Sequence, residues 1–344
     1  MFTIDAIITS LKSKDPETLK KLMQAADSIR RDEVGDTIHV RALLNISNRC
    51  ARSCLYCGLR APNRKLARYR MAPEEIIASA ELAEKTGYRT ILMQSGEDPW
   101  YTDDMVADII RKISERCTMD IALSLGERPA RTLERWRECG AQRYLLKHET
   151  SDEILYRKLH PDLDYENRIN TLITLKSLGY QTGSGIMVGL PGQTFESVAK
   201  DILLFKDLDI DMIGCGPYVH NPDTPLQPQS DDHQEVLPTE EMLLKITSLN
   251  RIITRDTMIP ATTATETLFA EGGRLNAFEA GANVVMFDIT PEKYRSRYQI
   301  YPSDKTADGI RDYPSLVSAL HQESKRPVAT DPGRRTKKEG QPLR

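Results

Sequence analysis

The 344-residue chain is predicted to be an α/β protein with a complete or near-complete (β/α)8 TIM-type barrel. Eight short β-rich runs alternate with longer runs that have helical spacing, which is typical of repeated strand–helix units. The β-rich runs are apolar on both faces, as are the strands of a parallel sheet that helices cover. The length also suits one barrel, which takes roughly 200 to more than 400 residues.

Eight segments are predicted as strands: 37–46, 89–95, 120–125, 143–149, 181–189, 211–218, 259–264 and 282–287. Each of the first seven precedes a segment with helical spacing, such as 72–87, 196–208 and 239–253. The helices near Pro73 and Pro238 have start signals, because acidic residues follow each proline. This order predicts a parallel sheet that closes, or nearly closes, on itself.

The chain is predicted to divide into four parts. Residues 1–36 form an N-terminal helical extension, 37–302 the barrel, 303–323 a C-terminal helical segment and 324–344 a basic tail. The tail contains seven Lys or Arg against two Asp or Glu and almost no large apolar side chain. Such a composition cannot bury a core, so we expect the tail to be disordered.

Composition excludes several classes of protein. The chain is 40% hydrophobic and 28% charged with a net charge of −3, which is unlike a disordered protein or a dedicated nucleic-acid binder. We find no secretion signal and no run approaching roughly 18 apolar residues. We therefore expect a cytoplasmic protein that binds neither membrane nor nucleic acid, with its six cysteines reduced.

Three cysteines lie close together in the stretch NRCARSCLYCGLR, residues 48–60. Cys50, Cys54 and Cys57 are separated by three and then two residues, with no fourth cysteine nearby. Three thiolates can hold three irons of a [4Fe–4S] cluster and leave one iron open. Zinc usually takes four protein ligands in structural sites, and three unrelated cysteines are the remaining interpretation. The spacing favours the cluster.

Polar, glycine-rich and charged stretches follow the predicted strands. Because functional residues of such barrels gather at the carboxyl ends of the strands, these stretches predict a single site on one rim. They are residues 48–60, 95–101, 124–129, 147–150, 189–194, 216–225, 262–267 and 287–295.

The cysteine spacing, with Tyr56 before the last cysteine and a loop position after the first strand, resembles the radical S-adenosylmethionine (SAM) superfamily. The resemblance implies two cofactors, a [4Fe–4S] cluster and SAM. It implies that the open iron chelates the amino and carboxylate groups of SAM's methionine, and that reduction releases a 5′-deoxyadenosyl radical. No catalytic residue beyond the cluster and SAM is expected.

From about residue 30 to about residue 302 the chain resembles the HydE family of [FeFe]-hydrogenase maturases. The resemblance implies a role in assembling the di-iron H-cluster from a small-molecule or organometallic iron substrate, with other maturases and an electron donor as partners. It is carried by an ordered set of blocks: 54–60, 68–71, 94–101, 124–129, 143–150, 158–170, 187–194, 259–264 and 294–302.

Site residues follow from the resemblance. Cys50, Cys54 and Cys57 are expected to bind the cluster. The expected SAM residues are Tyr56 against adenine, Gly96 and Glu97 at the amino group, Glu149, Arg168 at the methionine carboxylate, and Ser124 at SAM or the substrate. Residues 189–192 are expected to form a loop under the adenosyl group. The expected substrate residues are Thr262, Thr263, Tyr294, Arg295 and Tyr298.

Two features depart from the family. Lys147 stands where its members often have arginine, and no cysteine follows Cys215, so the second cluster of some members cannot form. Cys117 and Cys139 are expected to be buried packing residues, as is Cys215. Two alternative functions stay open: a HydE-like enzyme acting on an amino acid, as in methylornithine or biotin synthesis, and a carrier that delivers an iron–sulfur cluster without catalysis.

Overall fold

The structure is a computed structural model that describes residues 3–228, 230, 234–269, 273–302 and 313–336. Its strands are β1 (His39–Ser47), β2 (Thr90–Ser95), β3 (Asp120–Ser124), β4 (Ala141–Leu145), β5 (Gln181–Ser184), β6 (Met187–Val188), β7 (Met212–Ile213), β8 (Gly216–Pro217), β9 (Pro260–Ala261) and β10 (Val284–Asp288). Its helices are α1 (Ile4–Lys12), α2 (Pro16–Val34), α3 (Pro73–Thr86), α4 (Asp103–Arg116), α5 (Ala130–Glu138), α6 (Glu153–Leu159), α7 (Tyr165–Ser177), α8 (Phe195–Asp207), α9 (Glu240–Thr254), α10 (Thr263–Leu268), α11 (Gly273–Glu279), α12 (Glu292–Arg295) and α13 (Tyr313–Ser324).

Eight strands form one parallel sheet in the order β7-β5-β4-β3-β2-β1-β10-β9. A parallel bridge between Met212 and Met258 joins the two ends of this order, with Ile213 N donating to Met258 O at 2.9 Å. The prediction of a near-complete (β/α)8 barrel is confirmed. Parallel pairing throughout places all carboxyl ends on one rim, which is where the predicted site lies.

Two predicted strands are shorter than expected. Segment 181–189 splits into β5 and β6, and segment 211–218 splits into β7 and β8, which pair above the main sheet. The breaks fall at Gly185 and Gly214, where the two backbones nearly touch: a Cβ on Gly185 would lie 2.1 Å from the Gly214 carbonyl oxygen. The close approach of these two backbones divides the pairing into β5 with β7 and β6 with β8.

Helix boundaries follow local capping chemistry. The side chains of Thr102, Thr194 and Thr239 each accept a hydrogen bond from a backbone N–H in the first turn of α4, α8 and α9. Pro73 opens α3, where a missing N–H costs nothing, and the Glu75 carboxylate accepts from Ala72 N at 3.0 Å. These signals explain why the predicted helix limits lie within one residue of the observed ones.

The N-terminal helices cover one side of the barrel. Ile7 and Leu11 of α1 are buried in a hydrophobic cluster with α8 and α9, and α2 runs along α9. Within the described residues, no helix is long and apolar enough to cross a bilayer. The predicted segment 303–323 lies partly outside the described residues, and its remainder contains α13.

Residues 325–336 close the lower end of the barrel. Val328 bridges Ile38 beside β1, the Gly333 carbonyl accepts from Arg41, and the Pro332 carbonyl accepts from Arg143 at 2.8 Å. The prediction of a disordered tail is therefore wrong for these twelve residues.

The reason is electrostatic. Arg334 pairs with Asp120, and Arg335 pairs with Asp209, Asp211 and Asp256 at 2.7 to 3.3 Å. These acids come from three distant segments of the chain, around residues 120, 209–211 and 256, so the composition of the tail alone does not reveal that its cations have partners. Residues 337–344 of the predicted tail lie outside the described residues.

Candidate functional site at the carboxyl ends of the strands

A cavity of about 370 Å³ opens at the carboxyl ends of the strands. Its size falls within the range of small-molecule sites. It brings together most of the predicted site residues, which come from loops far apart in sequence: Cys50, Cys54, Tyr56, Cys57, Gly96, Glu97, Ser124, Glu149, Arg168, Thr262 and Tyr298.

The three cysteines face this cavity as free thiols. Burial raises the pKa of each thiol, to about 12 for Cys57, and the neighbouring cysteines raise the pKa of Cys54 further. Thiols that oppose one another's ionisation bind best to a cation that neutralises them. Among the described residues no three His, Cys, Asp or Glu side chains converge as ligands of one metal ion, and a cluster instead takes a separate iron at each cysteine.

Two arginines hold the cysteine loop in shape. Arg60 donates to the carbonyl oxygens of Ser53 and Cys54 at 3.1 Å. Arg68 donates to four further carbonyls, those of Asn48, Leu59, Arg60 and Asn63. The backbone carbonyls of a loop without secondary structure need hydrogen-bond donors from other groups. The guanidinium groups of Arg60 and Arg68 supply these hydrogen bonds.

Glu97 is fixed by three partners. Its carboxylate pairs with Arg52 and accepts a hydrogen bond from Glu127 N at 2.9 Å. Its carbonyl accepts from Ala51 N at 2.8 Å. Glu97 thus joins the end of β2 to the cysteine loop and to the loop after β3, and its side chain is already engaged before any ligand enters.

Two glycines allow these loops to approach. A Cβ on Gly96 would lie 2.5 Å from the Cβ of Cys50, and one on Gly126 would lie 1.9 Å from the Cγ of Glu97. Gly126 also has φ +79°, in the region that favours glycine. Only glycine fits both positions without displacing a predicted site residue.

Arg168 is nearly buried at the edge of the cavity. Its Nε donates to Glu127 at 2.6 Å, and its Nη1 donates to the Lys147 carbonyl at 2.7 Å. Burial by itself lowers the pKa of Arg168, but Tyr156 and Glu127 raise this pKa above its usual value. Nη2 has no hydrogen-bond partner in the described part of the chain, so this charged nitrogen is available to an anionic group in the cavity.

Glu149 carries an unsatisfied oxygen. Its Oε2 is buried without a hydrogen-bond partner, and its backbone has φ +66°, a strained value for a residue other than glycine. Burial raises the pKa of this carboxyl, although Lys147 and Arg168 oppose the effect. A buried carboxylate without a partner is costly. A ligand with a cationic group would satisfy it.

The predicted substrate residues separate into two groups. Thr262 and Tyr298 line the cavity, where the Tyr298 hydroxyl accepts from Gln94 at 3.1 Å. Tyr294 and Arg295 lie outside the lining: the Tyr294 hydroxyl donates to Glu75 and Arg295 Nε donates to the Thr290 carbonyl. The side chain of Thr263 lies outside the described residues.

Several other residues lie outside the cavity lining. Residues 189–192 are absent from the described cavity lining, in which Met187 of the same strand takes part. His148 turns away from the cavity, with Nδ1 2.9 Å from the Ser184 hydroxyl and Nε2 3.3 Å from Asp201. Cys117 and Cys215 are buried in the two largest hydrophobic clusters.

Four residues of the site were missed by the sequence analysis: Arg52, Glu127, His160 and Asp162. Asp162 accepts from Ser53 N at 3.0 Å, and His160 lies 2.9 Å from the Tyr56 hydroxyl. Glu127, His160 and Asp162 lie within the blocks 124–129 and 158–170, which resemble the HydE family. Their place in these blocks was the signal in the sequence that could have identified them. The spacing of those blocks does not reveal that they reach the cysteine loop.

Comparisons with known proteins agree with this geometry. A family model described as the radical SAM superfamily matches residues 44–205. The chain is 48% identical over 301 residues to the protein of Thermotoga maritima named [FeFe] hydrogenase maturase subunit HydE, covering 88% of this chain and 84% of that protein. It is 28% identical to 3-methylornithine synthase of Methanosarcina acetivorans, over 90% of this chain and 82% of that protein.

Solved structures show the same architecture. The crystal structure of a methylornithine synthase superposes with a TM-score of 0.82 at 26% identity, covering 95% of this chain and 94% of that one. The [FeFe]-hydrogenase maturase HydG from Carboxydothermus hydrogenoformans shares the fold, with a TM-score of 0.78 at 20% identity over 93% of this chain and 74% of that one.

The cavity fits the cofactors that radical SAM enzymes use, a [4Fe–4S] cluster and SAM. Three mutually destabilising thiols suit iron, the orphaned Glu149 oxygen suits a cationic group, and the open nitrogen of Arg168 suits a carboxylate. Cofactor chemistry, sequence identity and fold thus agree. The chain belongs to the HydE family of radical SAM enzymes.

Proposed function

We propose that this protein acts in assembly of the di-iron H-cluster of [FeFe]-hydrogenase by cleaving SAM at a cluster bound to Cys50, Cys54 and Cys57. One observation carries the proposal: a single cavity joins these thiols to the unsatisfied carboxylate of Glu149 and the open guanidinium nitrogen of Arg168. The name of the Thermotoga maritima relative supports the place of this chemistry in hydrogenase maturation.

Different residues of the chain bind different parts of SAM in this proposal. In this proposal Arg168 Nη2 binds the methionine carboxylate, while Glu149 pairs with the cationic part of the molecule. Glu97 forms an ion pair with Arg52. This pair fixes the loop that places Gly96 near the amino group of SAM. When bound and reduced, the cluster supplies the electron that cleaves SAM to methionine and a 5′-deoxyadenosyl radical.

The substrate side of the cavity suggests a compact anionic ligand. Lys147 lines the cavity and forms no ion pair with any described residue. Thr262 and Tyr298 add hydroxyl groups, and the deeper wall is apolar around Met212 and Met286. A cation, two hydroxyls and thioether side chains suit a small organometallic iron species that bears anionic ligands.

An external one-electron donor is part of the proposal, since SAM cleavage consumes an electron. Residues 48–70, around the cysteines, contain no Asp or Glu and seven basic residues: Arg49, Arg52, Arg60, Arg64, Lys65, Arg68 and Arg70. Three of them pair with acids from other parts of the chain, Arg52 with Glu97, Lys65 with Asp223 and Arg70 with Asp98. The remaining positive charge favours a donor protein with an acidic surface. The other hydrogenase maturases remain the proposed suppliers and acceptors of the substrate. Free thiols and an oxygen-sensitive cluster fit the reducing cytoplasm.

A second candidate has the same SAM chemistry with an amino-acid substrate. It is favoured by the likeness to methylornithine synthase, whose structure superposes over nearly the whole chain. The third, a carrier of clusters without catalysis, gives no reason for Glu149 and Arg168 to be poised at the cavity, because delivery of a cluster needs neither.

The first experiment tests SAM cleavage. The cluster is reconstituted anaerobically, reduced with dithionite and supplied with SAM, and 5′-deoxyadenosine is measured by chromatography. We expect turnover by the wild type, its loss in Cys54→Ala, and its retention in Cys139→Ala, a matched cysteine outside the cavity. A fully loaded, reducible wild type that forms no 5′-deoxyadenosine contradicts the enzyme proposal and favours the carrier.

The second experiment tests the biological reaction. Apo-hydrogenase is incubated with the two other maturases and either this protein or its Cys54→Ala variant, and hydrogen evolution is measured. Activation by the wild type alone supports the H-cluster role. SAM cleavage without activation contradicts that role and favours an amino-acid substrate.

A further inference from the structure

We propose that His160 is a positioning residue that locks together the adenine side and the methionine side of the SAM site. It contacts Tyr56 on the cysteine loop and stacks on Tyr156, which supports Arg168. The inference rests on the proposed roles of Tyr56 and Arg168 in holding SAM.

The cysteine loop is tied to the end of α6 at three successive points. Ser53 N donates to the Asp162 carboxylate at 3.0 Å, Leu55 N donates to the Leu159 carbonyl at 2.9 Å, and the Tyr56 hydroxyl meets His160 at 2.9 Å. Two of these contacts use the backbone of the loop. The third is a side-chain contact, and it fixes the hydroxyl end of a Tyr56 ring that also packs against the hydrophobic cluster of Leu155 and Leu159.

The tautomer of His160 is fixed by its neighbours. Nδ1 lies 2.8 Å from the carbonyl of Tyr156, which can only accept, so Nδ1 carries the proton. Nε2 is then left with a lone pair and accepts from the Tyr56 hydroxyl at 2.9 Å. Burial lowers the His160 pKa to about 4, which agrees with a neutral ring. The helix α6 ends just before His160, because Pro161 follows this residue.

The same ring supports the other half of the site. His160 stacks on Tyr156 with ring centroids 4.1 Å apart and planes 24° from parallel. The guanidinium of Arg168 lies 5.9 Å from the Tyr156 ring centre. His160 and Tyr156 are buried, so the stack has no room to shift without repacking. The loop of Tyr56 and the helix of Arg168 therefore share one rigid support.

This arrangement lowers the cost of binding. SAM must be held at both ends at once, by residues more than one hundred positions apart in the chain. Groups that are already fixed lose less conformational entropy when the ligand arrives. Without the His160 acceptor, the Tyr56 hydroxyl loses its partner, and only hydrophobic packing still holds the ring at the adenine position. The consequence is weaker SAM binding rather than a slower chemical step.

The test uses the reconstituted full-length protein, three single variants and the double variant that combines His160→Phe with Tyr56→Phe. His160→Phe keeps a stacking ring and removes both nitrogens, Tyr56→Phe removes only the hydroxyl, and His160→Gln restores an acceptor near Nε2. The dissociation constant for SAM is measured by equilibrium dialysis, the SAM-induced change in the EPR spectrum of the reduced cluster is recorded, and KM and kcat for 5′-deoxyadenosine are determined.

We expect both phenylalanine variants to raise the SAM dissociation constant and KM by about 3- to 10-fold, with iron content and kcat near the wild type. The double variant is expected to be no weaker than the single ones, because both remove one interaction. His160→Gln is expected to recover part of the affinity and the EPR change.

Unchanged SAM affinity in Tyr56→Phe overturns the proposal. So does loss of iron or kcat with KM unaltered, since a purely structural role predicts that pattern. Additive effects in the double variant also contradict it. If the wild type binds SAM but does not cleave it, the function proposed above fails while the binding comparison still decides the role of His160.

Discussion

Glu149 has a backbone conformation that is unfavourable for a residue other than glycine, and this conformation is consistent with a role in binding. Its positive φ and unpartnered Oε2 are both unfavourable in the free protein. Structures retain such features where the surrounding fold forces them and a ligand compensates them. The strain therefore points to the same conclusion as the motif: this carboxylate is prepared for a cationic partner.

We predict that Glu149→Gln raises the KM for SAM by about 10- to 100-fold, because the variant keeps the shape and loses a charge-assisted contact. KM is measured from 5′-deoxyadenosine formation, with iron content determined on the same sample. Glu153→Gln, an exposed acid on α6, is the matched control and should match the wild type. A KM unchanged in Glu149→Gln would show that SAM does not use this carboxylate.

Gly126 offers a second residue-scale prediction. Gly126→Ala places a Cβ 1.9 Å from Glu97 and adds positive-φ strain, so the loop must move. Gly179→Ala has nearly the same φ, +77°, with nothing within 4 Å of the new Cβ. We expect Gly179→Ala to lose about 1 kcal/mol of unfolding free energy and Gly126→Ala a further 1 to 3 kcal/mol. Urea unfolding measures both, and equal losses would refute the clash.

At the scale of elements, the sequence predicted the barrel well because each strand and helix carries its own pattern. Capping threonines, Pro73 and apolar runs act within a few residues and need no knowledge of the fold. The failures concern contacts between distant elements. Tyr294 was placed in the cavity by its motif, yet α12 turns its ring onto Tyr69 with centroids 4.7 Å apart.

The C-terminal segment shows the same limit. Arg334 and Arg335 appear as solvated charges in a basic tail, whereas the structure pairs both with acids of the barrel. Among those acids Asp120 follows α4, whereas Asp209 and Asp211 follow α8, and no local pattern joins them to the tail. His160 was missed for a similar reason, since its partner Tyr56 lies 104 residues earlier.

We predict a clear difference between the two adjacent arginines. Arg335 is nearly buried and has three acidic partners, so Arg335→Ala should lower the free energy of unfolding by about 2 to 4 kcal/mol. Arg334 is about half exposed and its partner Asp120 retains Arg143, so Arg334→Ala should cost less than about 1 kcal/mol. Chemical denaturation compares the two variants, and equal costs would contradict the burial argument.

At the scale of the whole molecule, charge is buried at both ends of the barrel. The upper rim holds the cofactor residues, and the lower end holds His39 among Arg41, Arg143, Arg326 and Asp331. Burial lowers the His39 pKa from 6.5 to about 4, and the three arginines act in the same direction against Asp331. His39 is therefore neutral in the folded protein near neutral pH.

This site predicts acid sensitivity. The unfolded chain takes up a proton at His39 below pH 6.5, but the folded chain does so only near pH 4, so stability present above pH 6.5 falls between these values. The contribution amounts to roughly 3 kcal/mol over the full range. Unfolding free energies at about pH 8 and about pH 5 should differ less in His39→Gln than in the wild type. An equal difference would show that His39 does not titrate this way.

The closure of the barrel floor by residues 325–336 has a consequence for biosynthesis. These residues are translated after every strand, yet they bind Ile38, Arg41 and Asp120, which leave the ribosome far earlier. The lower end of the nascent barrel consequently stays open until residues 325–336 have left the ribosome. Iron delivered to the cysteine loop before that moment meets a barrel whose lower end is not yet closed, so we expect cluster insertion to follow the synthesis of residues 325–336.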